Sequence, residues 1–389
     1  MRKIVTILLC LCFTLSLFAC TDTSEASDVS TEQSKEVSKD EGFGPREITV
    51  NGVSLKEFTI VYCNSATYDN YNHYRLIVDE INAFLEEYCG YTLKAVPDTT
   101  AQTEYEILVG FTAGRSLRNA FDRDSFEAGQ YSLVVKGTKI MLAGSYANGW
   151  HFALEKLIKV CKTDKDGDLT DFMSSGNEPV VKVACVGDSI TQGINSTRND
   201  MTYPAYIQQM LGWDYCVLNA GLSGYSICNN DPYAYGKCKQ YNDALNFDPD
   251  VVIFALGTND SNPGQAWKDW SDPERKDLFL DSARELLDSF YKKNKDVQIY
   301  ICLPTPLFKV GTDHWNADGW NANIDAYSLP LIKQIAEEYS LEKIDLYTWG
   351  KGQKAVFTDG LHPKDTSYKD YAQAVYDSVK DTIKKAEDK

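Results

Sequence analysis

The chain has 389 residues, of which 43% are hydrophobic and 12% aromatic, so it is long enough to form two domains with compact cores. It carries 39 basic and 56 acidic residues, a formal net charge of −17. This acidic balance argues against binding of nucleic acid or anionic lipid by the folded surface. We expect the folded protein to be a monomer.

The N-terminus has the pattern of an export signal. Two basic residues precede an apolar run over residues 4–19, which is too short to span a bilayer comfortably but is typical of a secretory signal. The sequence Leu-Phe-Ala-Cys at residues 17–20 resembles the lipobox of bacterial lipoproteins, although Phe18 is bulkier than usual. We therefore expect residues 1–20 to be a lipoprotein signal peptide. Lipidation of Cys20 would anchor the protein at the outer face of the bacterial cell membrane; an ordinary cleaved signal is the alternative.

Residues 21–45 are rich in Ser, Thr, Asp, Glu and Lys and contain almost no apolar side chains. Such a stretch cannot bury enough surface to offset its chain entropy, so we expect a disordered tether. Loss of the two basic residues of the signal would change the net charge from −17 to −19.

Residues 46–162 are predicted to form a small α+β accessory domain in the order strand, helix, strand, hairpin, helix. A turn of sequence Lys-Gly-Thr at residues 136–138 separates two β-prone runs, which indicates the hairpin. This order resembles the small domain that precedes the catalytic barrel in β-hexosaminidases and α-glucuronidases. The resemblance is carried by the segment 107–110, the hairpin at Tyr131 and the helix at Gly149, and it implies no catalytic residue. The polar residues 163–179 are predicted to be a linker.

From residue 180 to 389, β-prone and helical patterns alternate, which predicts a parallel sheet between layers of helices. The apolar runs suit strands that are buried on both faces. The predicted strands are Val180–Val186, Cys216–Leu218, Val251–Leu256, Gln298–Leu303 and Lys343–Leu346. The predicted helices are Pro204–Leu211, Asp231–Leu245, Glu274–Lys293, Ile324–Tyr339 and a final helix with its apolar stripe from Tyr368 to Ile383.

Polar residues that could perform acyl transfer follow the ends of these strands, where ligands bind in such folds. Ser189 follows the first strand and Asn259 the third, while Asp359 and His362 follow the fifth. A serine hydroxyl is a poor nucleophile at neutral pH, so it needs a base and a group that orients the base. The sequence supplies candidates for all three roles.

Four short motifs resemble the conserved blocks of the SGNH hydrolases, also called the GDSL family, across about residues 180–385. They are Gly187-Asp188-Ser189-Ile190-Thr191, Asn219-Ala220-Gly221-Leu222-Ser223-Gly224, Gly257-Thr258-Asn259-Asp260 and Asp359-Gly360-Leu361-His362-Pro363. The resemblance implies a flavodoxin-like three-layer α/β/α fold and a serine ester hydrolase. It also implies that Ser189 is the nucleophile, His362 the general base and Asp359 the orienting acid. The implied oxyanion donors are the backbone N–H groups of Ser189 and Gly224 and the side-chain amide of Asn259.

Other hydrolytic chemistries lack their sequence signatures. The chain has no Gly-x-Ser-x-Gly elbow, no His-Glu-x-x-His motif and no phosphate-binding loop. Its four histidines are scattered without the spacing of zinc ligands. We expect neither a metal nor an organic cofactor.

Eight cysteines would remain after removal of the signal and lipidation of Cys20. Cys185 and Cys302 lie in apolar strand-like runs and are predicted to be small core residues. Cys228 and Cys238 lie in a polar segment, where export permits a disulfide without requiring one. Both possibilities remain open.

Two loops that should line the substrate cleft are rich in tryptophan, whose flat faces stack on sugar rings. The candidate substrate contacts are Trp267, Trp270, His314, Trp315 and Trp320. The alternative is that these aromatic residues only pack the loops down. Export, surface anchoring, the acidic body and an accessory domain that resembles one of glycan-processing enzymes favour an esterase that removes acetyl groups from a polysaccharide, including peptidoglycan. A short-chain acyl esterase, a lysophospholipase and an inactive glycan-binding lipoprotein are the alternatives.

Overall fold

The computed structural model describes residues 46–63, 74–115, 117, 126–163, 167–265 and 268–385. The predicted signal peptide with Cys20, the tether and Trp267 lie outside these residues. Within the described ranges, no helix has the length and apolar character needed to cross a membrane.

The N-terminal part is built on a six-stranded mixed sheet. Its elements are β1 (Thr49–Val50), β2 (Val53–Ser54), β3 (Thr59–Tyr62), α1 (Tyr74–Cys89), β4 (Ala95–Pro97), β5 (Glu106–Val109), β6 (Gln130–Lys136), β7 (Lys139–Ala143), α2 (Ala147–Thr163), β8 (Asp168–Leu169) and β9 (Phe172–Asn177). The strand order is β4-β3-β5-β7-β6-β9, and β6 and β7 form the predicted hairpin. The resemblance to a domain of glycan-processing enzymes remains a prediction.

The segment predicted to be a linker, residues 163–179, instead completes the N-terminal sheets. Strand β9 pairs antiparallel with β6 over residues 172–177, and β8 pairs parallel with β1. The prediction was wrong because β9 is an edge strand whose side chains are half-buried or exposed, so it lacks the apolar pattern of a buried strand. Its backbone hydrogen bonds decide its structure.

The C-terminal part contains a five-stranded sheet in which every strand pair is parallel. Its strands are β10 (Val181–Gly187), β11 (Tyr215–Gly221), β12 (Val251–Ala255), β13 (Gln298–Cys302) and β14 (Glu342–Ile344). The order is β11-β10-β12-β13-β14, which is the flavodoxin-like order with its reversal at β10. The predicted α/β fold with a parallel sheet is confirmed.

Helices cover both faces of this sheet. They are α3 (Ser189–Gln192), α4 (Tyr203–Leu211), α5 (Lys239–Asn246), α6 (Glu274–Lys293), α7 (Ala317–Asn323), α8 (Leu329–Glu338), α9 (Leu346–Gly350) and α10 (Ser367–Val379). A π-helical turn, Ile324–Ser328, joins α7 to α8. The helix predicted from Asp231 begins only at Lys239, because Asp231 accepts hydrogen bonds from Ser226 and Arg275 that hold residues 226–234 in a closed loop.

Alternate residues of β10 enter different apolar clusters, which explains why the strand is apolar at every position from Val183 to Val186. Val183 and Cys185 belong to the cluster under α4 and α10, whereas Ala184 and Val186 belong to the opposite one. That second cluster continues without a break into the N-terminal part. Residues 45–389 accordingly form one compact unit.

The eight cysteines among the described residues are all buried. Cys185 and Cys302 are core residues, as predicted, with 0% and 3% exposure. Cys228 and Cys238 are separate thiols, so the structure contains no disulfide between them. Burial raises the pKa of Cys238 and therefore disfavours its thiolate.

Candidate active site

Ser189 lies at the carboxyl edge of the parallel sheet, in the turn between β10 and α3. Asp188 caps the helix, since its side chain accepts a hydrogen bond of 3.0 Å from the Ile190 N–H. As the first helical residue, Ser189 has a backbone N–H without an intrahelical acceptor. The local fold therefore presents both the hydroxyl and a backbone donor at one point.

The Ser189 turn lies directly against the end of β11. A Cβ atom on Gly221 would lie 2.1 Å from the Gln192 backbone nitrogen, so only glycine permits this approach. The Leu222 N–H donates to the Gly187 carbonyl, and the Ser223 N–H donates to Gln192 Oε1 at 2.7 Å. These bonds hold the second motif against the nucleophile turn.

His362 and Asp359 join Ser189 in a continuous hydrogen-bonded chain. His362 Nε2 lies 2.9 Å from Ser189 Oγ, and its Nδ1 lies 2.9 Å from Asp359 Oδ2. Ser189 and His362 are 6% and 5% exposed, so bulk water is largely kept from the bond that must transfer a proton. The geometry is that of a nucleophile, a general base and an orienting carboxylate.

The Asp359 carboxylate is held by four donors. Its Oδ1 accepts from the Leu361 and His362 backbone N–H groups at 2.9 and 2.7 Å. Its Oδ2 accepts from the His362 ring and from Asn195 Nδ2, the latter at 2.9 Å. Burial acts to raise the pKa of Asp359, but the hydrogen bonds from His362 and Leu361 outweigh it and lower the pKa below its ordinary value. The carboxylate therefore stays ionised.

Asn195 is a site residue that the sequence did not reveal. It lies in the exposed turn after α3 with a φ of 69°, a conformation that asparagine adopts more readily than most residues. Its only sequence signal is this turn preference, because its partner lies 164 positions along the chain.

Asp188, next to the nucleophile, is an unusual carboxyl group. Burial raises its pKa to about 7, helped by the nearby Asp260 carboxylate, although hydrogen bonds from the Ile190 N–H and the Thr258 side chain act in the opposite direction. Because its side chain caps the start of α3, Asp188 stabilises the turn that carries Ser189.

The three implied oxyanion donors come from adjacent strand ends. Gly187 in β10 is in register with Gly221 of β11 and with Ala255 of β12. Asn259 begins a short helical turn after β12, and its Nδ2 donates to the Tyr225 carbonyl at 3.0 Å. This leaves the second amide hydrogen for another acceptor.

Gly224 occupies the left-handed region with a φ of +83°. A Cβ there would contact no other atom within 4 Å. Glycine is therefore required for its backbone conformation rather than for a close approach within the protein.

The predicted aromatic contacts divide into three groups. Trp315 is half-buried, and its ring meets the His362 ring edge-on at 5.5 Å, so it borders the reacting centre. The exposed His314 packs on Trp315 at 4.9 Å. Trp270 and Trp320 are only 6% and 4% exposed, which leaves no free face for a sugar, so their prediction as substrate contacts was wrong. Trp270 stacks on Tyr327 and donates to the Asp260 carbonyl.

A serine hydroxyl bonded to a histidine that an ionised aspartate orients, at the carboxyl edge of a parallel α/β sheet, defines a serine hydrolase site. Residues 185–369 match the family model for the GDSL-like Lipase/Acylhydrolase family. All four sequence motifs lie within this matched region, which agrees with the resemblance that they predicted.

A curated relative is similar over the same region. It is an acetylxylan esterase from Xylanibacter ruminicola, 34% identical over 221 residues, which represent 52% of this chain and 44% of the relative. The chain thus spans less than half the length of that relative.

Solved structures that match part of this chain include an acetyl xylan esterase, with 23% identity and a TM-score of 0.40 over 51% of this chain and all of that one. A carbohydrate acetylesterase family member from Sinorhizobium meliloti has 21% identity and a TM-score of 0.39 over 52% of this chain and 98% of that one.

Proposed function

We propose that this protein is a serine esterase that removes ester-linked acyl groups, chiefly acetyl groups, from carbohydrate. The hydrogen-bonded chain Asp359–His362–Ser189 carries the proposal, because it is the arrangement that activates a serine hydroxyl. The similarity to an acetylxylan esterase supports the choice of substrate class.

In the first step, Ser189 Oγ attacks the ester carbonyl while His362 Nε2 takes the hydroxyl proton. The carbonyl oxygen becomes negatively charged and accepts hydrogen bonds from the Ser189 and Gly224 N–H groups and the Asn259 amide. When the tetrahedral intermediate collapses, the ester C–O bond breaks, and His362 returns the proton to the departing sugar hydroxyl.

In the second step, His362 removes a proton from water, which attacks the acyl-enzyme. Collapse of the second tetrahedral intermediate releases the carboxylic acid and restores the Ser189 hydroxyl with the proton held by His362. Asp359 remains ionised throughout and stabilises the imidazolium form of His362. Every proton transfer in both steps passes through His362.

Among the described candidate aromatic residues, Trp315 is the one best placed to contact the alcohol part of the substrate. His362 must protonate the leaving hydroxyl, so a sugar ring at that position lies close to His362 and hence to Trp315. An aromatic face beside the leaving group suits a pyranose ring better than a flexible alkyl chain.

Acetate release from acetylated xylan by the purified protein, with Ser189→Ala as the control, tests the proposal. Release that disappears in the variant supports a serine carbohydrate esterase. Cleavage of an aryl acetate without release from xylan would support a short-chain acyl esterase or lysophospholipase instead. Failure on both substrates, with glycan binding retained, would support the inactive binding protein.

We further propose that the protein is exported and anchored by a lipid on Cys20, with residues 21–45 as the tether. The apolar run before Cys20 and the hydrophilic sequence after it support this proposal. Expression in bacteria fed labelled palmitate should label the wild-type protein and not the Cys20→Ala variant. Equal labelling of both would contradict it.

A further inference from the structure

Four charged side chains form a buried cluster behind the proposed oxyanion donors. Asp231, Asp260, Lys268 and Arg275 have side-chain exposures of 0%, 0%, 1% and 3%. Arg275 Nη1 lies 2.8 Å from Asp231 Oδ1, and Lys268 Nζ lies 4.0 Å from Asp231 Oδ2. Arg275 Nη2 lies 3.9 Å from Asp260 Oδ1. Two carboxylates and two cations thus balance each other.

The two carboxylates hold the loop that follows Gly224. Asp260 Oδ2 accepts from the Ile227 N–H at 3.0 Å, and its Oδ1 accepts from the Cys228 N–H at 3.1 Å. Asp231 Oδ2 accepts from the Ser226 hydroxyl at 2.6 Å. Three consecutive residues of this loop are therefore fixed by the cluster.

Lys268 holds the other donor. Its Nζ donates to the Asn259 carbonyl at 2.7 Å, while the Asn259 side chain donates to the Tyr225 carbonyl at 3.0 Å. Asn259 is thus held at its backbone by Lys268 and at its amide by the Gly224 loop. The second bond also decides which side of the amide carries the nitrogen.

A buried cluster of charges is a poor source of stability. Removing each ion from water costs several kcal/mol, and well-packed apolar residues often stabilise a protein as well or better. Oxyanion donors, by contrast, act only when they are held within a few tenths of an ångström of the developing charge. The cluster supplies that kind of rigid support to both loops.

We propose that Lys268 is a positioning residue for the oxyanion hole, which it fixes together with Asp231, Asp260 and Arg275. The cluster joins the loop of Gly224 to the turn of Asn259, so the two donors stay at a fixed distance from each other. This inference rests on the proposed esterase function and concerns how that site is held.

The test compares Lys268→Met with Lys139→Met, a matched control. Lys139 has 8% side-chain exposure and bonds Glu106 Oε2 at 2.9 Å and the Thr103 carbonyl at 2.6 Å, within the N-terminal sheet. Both variants remove a buried ammonium that pairs with a carboxylate and a carbonyl. Activity is measured per folded molecule on an aryl acetate, and Lys268→Arg tests whether a cation alone restores it.

Lys268→Met should lower kcat by about 10- to 100-fold, less than the loss of a whole oxyanion donor, with KM changed less than about 3-fold. Its affinity for a boronic acid that forms a tetrahedral adduct with serine should fall in parallel. Lys139→Met should change neither kcat nor the boronic acid affinity by more than about 2-fold, because Lys139 lies outside the site. In an Asn259→Ala background, Lys268→Met should add less than about 2-fold, because the side-chain amide that Lys268 helps to position is already absent.

Equal kcat in the two lysine variants, or additive losses with Asn259→Ala, would overturn the proposal. A wild-type protein without activity on the aryl acetate would refute the esterase function instead, so the two failures are distinct. If Lys268→Met does not fold, Ser226→Ala provides the second variant. It removes only one hydroxyl donor to Asp231, and it should lower kcat by about 3- to 10-fold with the same parallel loss of boronic acid affinity. No change in Ser226→Ala would also contradict the proposal.

Discussion

Asn195 donates a hydrogen bond of 2.9 Å to the same oxygen of Asp359 that accepts from the His362 ring. This contact joins the turn after the nucleophile helix to the loop that carries the base. It fixes the direction of the carboxylate, and through it the direction of the imidazole.

Substitution Asn195→Ala should lower kcat/KM on an aryl acetate by about 3- to 10-fold, because one of four donors to an ionised carboxylate is lost. Asn195→Asp should lower it further, since two like charges would then face each other. The matched control is Asn51→Ala. Asn51 also has a positive φ and donates to a carboxylate, that of Asp171 at 2.9 Å, but lies in the N-terminal part. If Asn195→Ala and Asn195→Asp retain the wild-type kcat/KM, as Asn51→Ala should, then Asn195 has no orienting role.

Substitution Gly224→Ala should lower kcat by about 10- to 100-fold, because a side chain disfavours the φ of +83° and moves the backbone donor. The free energy of unfolding should fall by only about 1 kcal/mol. Gly52→Ala is the control, since Gly52 has a φ of +81° and equally open surroundings in a turn outside the site. The control should lose the same stability and retain kcat. An unchanged kcat in Gly224→Ala would remove Gly224 from the oxyanion hole.

Substitution Trp315→Ala should lower kcat/KM on acetylated xylan by at least about 10-fold, because a buried aromatic contact contributes on the order of 1 to 3 kcal/mol. Cleavage of a small aryl acetate should change less than about 3-fold. Trp213→Ala is the control. It removes a half-buried tryptophan just before the start of β11, whose other end lies against the Ser189 turn, and it should not change the ratio of the two activities. Equal losses on both substrates would mean that Trp315 supports His362 rather than the sugar.

His151 of helix α2 couples stability to pH. Its ring stacks on Trp213 at 4.7 Å, its Nδ1 lies 2.7 Å from Glu80, and its Nε2 lies 3.5 Å from Glu155. Burial acts to lower the pKa of His151, but hydrogen bonds and charges of the two glutamates outweigh it and raise the pKa to about 9.

A pKa that is raised on folding means that the folded state binds the proton more tightly. The resulting stability is complete below the unfolded-state pKa of 6.5 and is lost as the pH rises through about 9. His151→Phe keeps a ring against Trp213 and removes the charge. It should be less stable than the wild type at pH 6 by about 1 to 2 kcal/mol, after allowance for the partly exposed glutamates. Thermal unfolding at pH 6, 8 and 10 measures this, and a difference independent of pH would contradict the role of the charge.

Local sequence patterns predicted most of the C-terminal sheet and the chain of catalytic groups. A run such as Val251–Ala255 is apolar at every position, which predicts a strand buried on both faces, and its ends predict where Asn259 lies. Strand β9 and the start of α5 were missed because hydrogen bonds to distant segments decide them. The edge strand pairs with β6, and Asp231 is held by Arg275.

The sequence by itself determined which candidate catalytic residues follow which strand. Short motifs place Ser189, Gly224, Asn259, Asp359 and His362 after successive strand ends. Only the tertiary structure showed that Asn195 and Lys268 form hydrogen bonds with Asp359 and Asn259, and that Trp270 and Trp320 are buried. The physical reason is that burial and hydrogen-bond partners depend on contacts between residues far apart in the chain, for which a local pattern carries no record.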